Sequence, residues 1–177
     1  MYNLQFQRQL FNRHERIHAL KYQSVITPDG IIVHLSGPYS RRRHDAGIFR
    51  ESNFRNILEL YSFDPNGRPL VIYGDPAYGQ FRHLLSPFRL PGIQPHQVAF
   101  NQAMSSVRES VEWGFGKMLQ YFSFLDFKKN QKVFLQPVAK YYFVGCIFTN
   151  IHTCINGSTT SAFFEVPPST VEQYLRP

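Results

Sequence analysis

The chain has 177 residues, 43% of them apolar and 16% aromatic, which suits one globular domain burying roughly 70% of its unfolded surface and excludes a disordered chain. No run approaches the roughly 20 consecutive apolar residues of a membrane span. The start, Met1-Tyr2-Asn3-Leu4-Gln5-Phe6-Gln7-Arg8, lacks the apolar stretch of a secretory signal, so a soluble intracellular protein is expected. The net charge is +7, and residues 1 to 56 carry nine basic and four acidic side chains, so +5 of it lies in the first third. That asymmetry favours an anionic partner.

The same third contains His14, His18, His34 and His44 and the run Arg41-Arg42-Arg43, a candidate phosphate-contacting patch. A solvated basic loop is the alternative. Cys146 and Cys154 are the two cysteines. Neither sits in a Cys-x-x-Cys pair, so no disulfide scaffold or structural zinc site is specified, and both suit a core.

In chain order, 17 to 26 is a strand that meets the turn Thr27-Pro28-Asp29-Gly30 before Ile31-Ile32-Val33-His34-Leu35. Proline presets φ and glycine accepts positive φ, so this predicts a hairpin. Gly37-Pro38 is expected to stop the second strand. A helix over 46 to 61 follows, capped by Asp45 or a neighbour, with Ile48, Phe49, Phe54, Ile57, Leu58 and Tyr61 on its apolar face.

After the turn Asp64-Pro65-Asn66-Gly67, the run Pro69-Leu70-Val71-Ile72-Tyr73 reads as a buried central strand that ends at Gly74-Asp75-Pro76, with the carboxylate at its C-terminal tip. Pro87, Pro91 and Pro95, with Pro76 just upstream, make 84 to 97 mostly loop. From 98 to 122 the stripe Val107, Val111, Phe115, Leu119, Phe122 predicts the longest helix. Glu112 stands about 100° round from Val111, where it borders the core and reaches a cleft.

Val133-Phe134-Leu135 and the run from Lys140 to Phe148 fit either strand or buried helix. Ser158-Thr159-Thr160-Ser161 reads as polar loop, and a Ser or Thr after Pro167-Pro168 caps a short terminal helix. No repeat or linker interrupts the chain, so a single domain over 1–177 is expected.

The sequence holds no Gly-x-x-x-x-Gly-Lys-Ser/Thr loop, no Gly-x-Ser-x-Gly elbow and no His-Glu-x-x-His helix. What remains is acidic. Asp75 at a strand end and Glu112 on a long helix are carboxylates of the kind that hard divalent cations require, and paired ions of this sort serve phosphodiester chemistry. The blander readings are that Asp75 ends a strand and that Glu112 pairs with Arg108, an exposed contact worth about 0.3 to 0.5 kcal/mol. Asp45 fits a cap better than a metal ligand, and Glu109 a solvated position.

Several segments carry a resemblance in consistent order over roughly 12 to 177. They are His18-Ala19-Leu20-Lys21-Tyr22-Gln23 with Pro28-Asp29-Gly30, Gly37-Pro38, Arg43-His44-Asp45-Ala46, and Tyr73-Gly74-Asp75-Pro76-Ala77-Tyr78. Phe100-Asn101, Arg108, Val111-Glu112-Trp113-Gly114-Phe115-Gly116, Gln136-Pro137-Val138 and Thr149-Asn150 follow. The sequence resembles the catalytic domain of PIF/Harbinger-type transposases and the transposase-derived nucleases, the DDE superfamily endonucleases. The Gly-Asp-x-Ala-Tyr and Val-Glu-x-x-Phe-Gly elements at this separation are the specific pair.

The resemblance implies an α/β, RNase H-like mixed sheet flanked by helices, in which three carboxylates hold two Mg2+ or Mn2+ ions. Asp75 would be the second and Glu112 the third. The family's first, an aspartate followed by Gly or Cys and then Thr, has no counterpart before the hairpin, where Glu15 is the only acidic residue. The resemblance therefore implies an N-terminally truncated domain of impaired activity. It also implies a nuclear setting, largely sequence-independent contact of Arg41, Arg42, Arg43 and His44 with DNA backbone, and a partner protein for sequence-specific DNA binding. A non-catalytic nucleic-acid or protein binding module is the alternative function.

Overall fold

The computed structural model describes residues 11–12, 17–18, 20–40, 43–89, 91–126 and 137–176. The chain is mixed α/β and gathers into two compact units, residues 1–42 with 110–177, and residues 43–109. Among the described residues no helix is long and apolar enough to cross a membrane.

In the first unit, β1 (Phe11–Asn12) pairs antiparallel with β2 (Ile17–His18), and β3 (Leu20–Ile26) pairs antiparallel with β4 (Ile32–Ser40). The expected turn closes the second ladder. Gly30 donates its N–H to Thr27 O at 2.8 Å with φ at +85°, and Asp29 Oδ1 accepts from Thr27 Oγ1 at 2.5 Å and Ile31 N at 3.2 Å. Glycine supplies the left-handed φ that most residues resist.

The expectation that Gly37-Pro38 stops the strand is overturned. The ladder steps from Lys21↔Tyr39 to Gln23↔Ser36, so Tyr22 faces two residues, and this bulge absorbs the proline and carries β4 on to Ser40.

The second unit holds α1 (Asp45–Glu51) and α2 (Phe54–Tyr61) in place of the single predicted helix. Asn53 breaks the run at φ +56°, a left-handed conformation that asparagine tolerates better than most residues, and its Oδ1 accepts from Asn56 Nδ2 at 2.6 Å. Ile48, Phe49, Phe54 and Leu58 are buried as expected, whereas Ile57 and Tyr61 are exposed.

β5 is only Ile72–Tyr73 and pairs in parallel with β6 (Leu84–Leu85). The predicted central strand is corrected by exposure, for Leu70 and Val71 leave half their surface in water. The three ladders of the described residues are each two-stranded.

The long helix α3 runs from Pro95 to Tyr121, three residues earlier than its apolar stripe suggested, because proline is well tolerated in a helix's first turn. Met118 and Ser110 are its buried residues, and the predicted stripe positions flank them half-buried. Lys140 to Phe148 is helical, inside α4 (Val138–Asn156), while Val133 to Leu135 lie outside the described residues.

The polar run at 158 is a correction too. Ser158 accepts from Ser161 N at 3.0 Å and Ser161 Oγ answers to Ser158 N at 2.8 Å, so a capping box starts α5 (Thr159–Phe163). The terminal helix α6 (Val171–Leu175) has Thr170 as its cap, as anticipated.

Ile32, Met118, Leu125 and Cys146 form the core of the first unit, with Ile26, Leu35, Phe115, Leu119, Phe122 and Tyr142 packed around them. Gly145 lets α4 approach. A Cβ there would stand 2.6 Å from Leu125 Cδ1, and Leu125 is fully buried and cannot yield cheaply.

Asn150 fastens α4 to β4. Its Oδ1 accepts from Ile32 N at 2.9 Å, and its Nδ2 donates to Ile32 O at 2.9 Å and to Tyr174 Oη at 3.0 Å. Both cysteines are free thiols. Cys146 is buried and burial pushes its thiol up to about 11, while Cys154 is half-buried.

Candidate active site

Asp75 follows β5 directly, where an apolar run gives way to Gly74 and the chain must turn. Pro76 presets the next φ, and Asp75 caps the 3-10 turn Pro76–Tyr78: its Oδ1 accepts from Ala77 N at 2.9 Å. The predicted position at a strand tip is correct, and so is the turn role.

The second oxygen is also engaged. Asp75 Oδ2 accepts from Arg108 Nη1 at 2.8 Å, with the two side chains 43% and 45% exposed. The blander reading of Glu112 paired it with Arg108 four residues earlier; the ion pair Arg108 makes is with Asp75, 33 residues upstream in the same unit. Nothing in helical spacing points to so distant a carboxylate.

Tyr73 borders this pair. Burial raises its hydroxyl pKa, the Arg108 guanidinium opposes that shift, and the Asp75 carboxylate adds to it. Arg89 brings a second guanidinium nearby, with Nη2 3.5 Å from Pro76 O. Beyond Pro76 and Ala77 an open groove of about 730 Å³ is lined largely by apolar groups, among them Phe88, Ile93 and Val98. Asn101 shapes its wall by accepting from Phe88 N at 2.9 Å and donating to Phe88 O at 3.0 Å.

Glu112 is exposed on α3 and belongs to the other unit. Each of the two is a solvent-accessible carboxylate, the ligand type that hard cations take. Among the described residues, no three His, Cys, Asp or Glu side chains come together as a ready cluster.

In the basic patch, Arg43, just before α1, makes an ion pair with Glu51, the last residue of that helix. His44 is the N-cap of α1 in an extended conformation, without a side-chain hydrogen bond to the helix, and its carbonyl accepts from Gly47 N and Ile48 N. The cap is thus His44, and Asp45 opens the helix, where its charge opposes the helix dipole favourably. Arg41 and Arg42 lie outside the described residues.

Two polar residues of the first unit were given no role by the sequence. One is Asn150. The other is Lys117, whose Nζ donates to Gly157 O at 2.8 Å and Thr153 Oγ1 at 3.1 Å, closing the C-terminus of α4. Burial lowers its pKa. A cation at a helix C-terminus is the expected use of such a lysine.

Residues 2–150 match the model of the DDE superfamily endonuclease family, which spans both carboxylate motifs. No curated protein and no solved structure matches the chain. Endonucleases of this superfamily generally use divalent metal ions.

Proposed function

The chain belongs to the DDE superfamily endonucleases, and from that premise we propose that it is a transposase-derived nuclease domain of PIF/Harbinger type and RNase H-like ancestry that acts on DNA. The observation that carries the reading is the family match over residues 2–150, which takes in Gly74-Asp75-Pro76-Ala77-Tyr78 and Val111-Glu112-Trp113-Gly114-Phe115 together.

In this reading residues 1–177 work as one domain in the nucleus, and Asp75 and Glu112 hold Mg2+ or Mn2+. A cation held there supplies positive charge to the attacking and leaving oxygens of a phosphodiester. The chain's own contribution begins with Asp75. The bond from Ala77 N fixes Oδ1 and hence the direction of the carboxylate.

Arg41, Arg42, Arg43 and His44 meet phosphates, which gives sequence-independent, salt-sensitive binding. Target choice is left to a partner protein.

Plasmid nicking with Mg2+ or Mn2+, beside the Asp75→Ala and Glu112→Ala variants, tests the reading. Nicking lost in both variants is expected. Salt-sensitive DNA binding with no nicking, unchanged in both variants, would establish instead the non-catalytic binding module, to which the Arg108 grip on Asp75 lends some support.

A further inference from the structure

We infer that Arg108 is shared between Asp75 and the phosphate backbone of DNA, so that bound DNA draws the guanidinium away and frees the carboxylate for a divalent cation. The inference rests on the reading of Asp75 as a metal ligand. It adds that metal and DNA bind cooperatively, and that one arginine carries the coupling.

Three observations support it. First, both oxygens of Asp75 already have donors: Oδ1 accepts from Ala77 N at 2.9 Å, and Oδ2 from Arg108 Nη1 at 2.8 Å. The positive charge that a cation would bring to Oδ2 is therefore supplied by the chain itself, and a cation on that oxygen would meet the guanidinium as a like charge.

Second, the pair is easily exchanged. The Arg108 and Asp75 side chains are 45% and 43% exposed, and an ion pair open to water holds weakly. The guanidinium fork matches a phosphate as well as a carboxylate, so a DNA backbone is a natural competitor.

Third, Asp75 does not need Arg108 to stay in place. Its side chain is fixed by Ala77 N, and its backbone carbonyl accepts from Tyr78 N at 3.0 Å within the turn. Losing the arginine therefore uncovers a carboxylate that is already oriented. A residue that merely positioned Asp75 would have the opposite effect.

The test measures Mn2+ affinity of the full chain from the EPR signal of free Mn2+, without and with a short DNA duplex, correcting for Mn2+ held by the duplex alone. Far-UV circular dichroism confirms that each variant is folded. Asp75→Asn keeps a side-chain oxygen for Ala77 N and should lose Mn2+ binding.

Arg108→Gln should bind Mn2+ about fivefold more tightly than the wild type without DNA, and DNA should add nothing further. In the wild type DNA should tighten Mn2+ binding by a similar factor, and Mn2+ should tighten DNA binding equally, as linkage requires. If Arg108→Gln binds Mn2+ no better than the wild type while Asp75→Asn loses it, the shared-arginine inference is overturned and the metal reading stands. If Asp75→Asn binds Mn2+ like the wild type, the metal reading fails and takes the inference with it.

Discussion

Asn150 and Asp75 each accept a hydrogen bond from a backbone N–H at 2.9 Å, and there the likeness ends. Asn150 is 1% exposed and spends its amide on Ile32 and Tyr174. Asp75 is open to water and lends its second oxygen to a replaceable arginine. Burying a neutral amide is tolerable when every donor and acceptor finds a partner, whereas a carboxylate loses far more on leaving water. The hairpin and C-terminal helices thus use polar groups to hold the fold, and residues 43–109 keep an ionic group exposed, where another ligand can compete for it.

The scale for that contrast comes from a purely apolar site. Leu125 is fully buried among Met118, Cys146 and Ile32, so Leu125→Ala should destabilise the chain by about 2 to 5 kcal/mol, read by urea denaturation. Asn150→Ala should come next, at about 2 to 3 kcal/mol, because it leaves the buried N–H and carbonyl of Ile32 without their partner. A cost below about 0.5 kcal/mol would place Asn150 with ordinary surface residues and end the contrast.

The sequence made some of this visible and concealed the rest for physical reasons. The hairpin turn was readable because Pro-Asp-Gly fixes backbone dihedrals locally, and the cap at Thr170 because a hydroxyl before a helix satisfies its own first turn. The break at Asn53 was hidden inside a continuous apolar pattern, since the left-handed φ that interrupts it changes no side-chain periodicity. The capped helix after Ser158 was hidden in a polar run, because serine serves loops and caps alike. At the site, Asp75 stood out through its motif. Its pairing with Arg108 did not, because the two positions lie 33 residues apart.

His34, half-buried on β4, sharpens the contrast through pH. Burial lowers its pKa from the ordinary 6.5, so the folded chain keeps it neutral after the unfolded chain has taken a proton. The unfolded state then binds more protons, and stability declines as pH falls below about 6.5 until the folded value is passed. His34→Gln should remove that part of the slope between about pH 7.5 and 5.5, followed as the denaturation midpoint at each pH.

The smallest effect is expected where the ligand effect is sought. Arg108→Gln removes an ion pair whose members are 45% and 43% exposed, and the screened pair should contribute less than about 1 kcal/mol to folding. Asp75 retains its bond to Ala77 N in the variant, so the turn after β5 is kept. Urea denaturation of Arg108→Gln at about 0.1 M salt should therefore overlay the wild type closely, and at about 1 M salt the curves should merge as screening removes what remains of the pair. A loss above about 2 kcal/mol would make the pair a structural tie of the Asn150 kind, since an exposed bridge does not reach that value. Near-zero stability change together with altered Mn2+ affinity is the combination that separates a side chain held in reserve for a ligand from one committed to the fold.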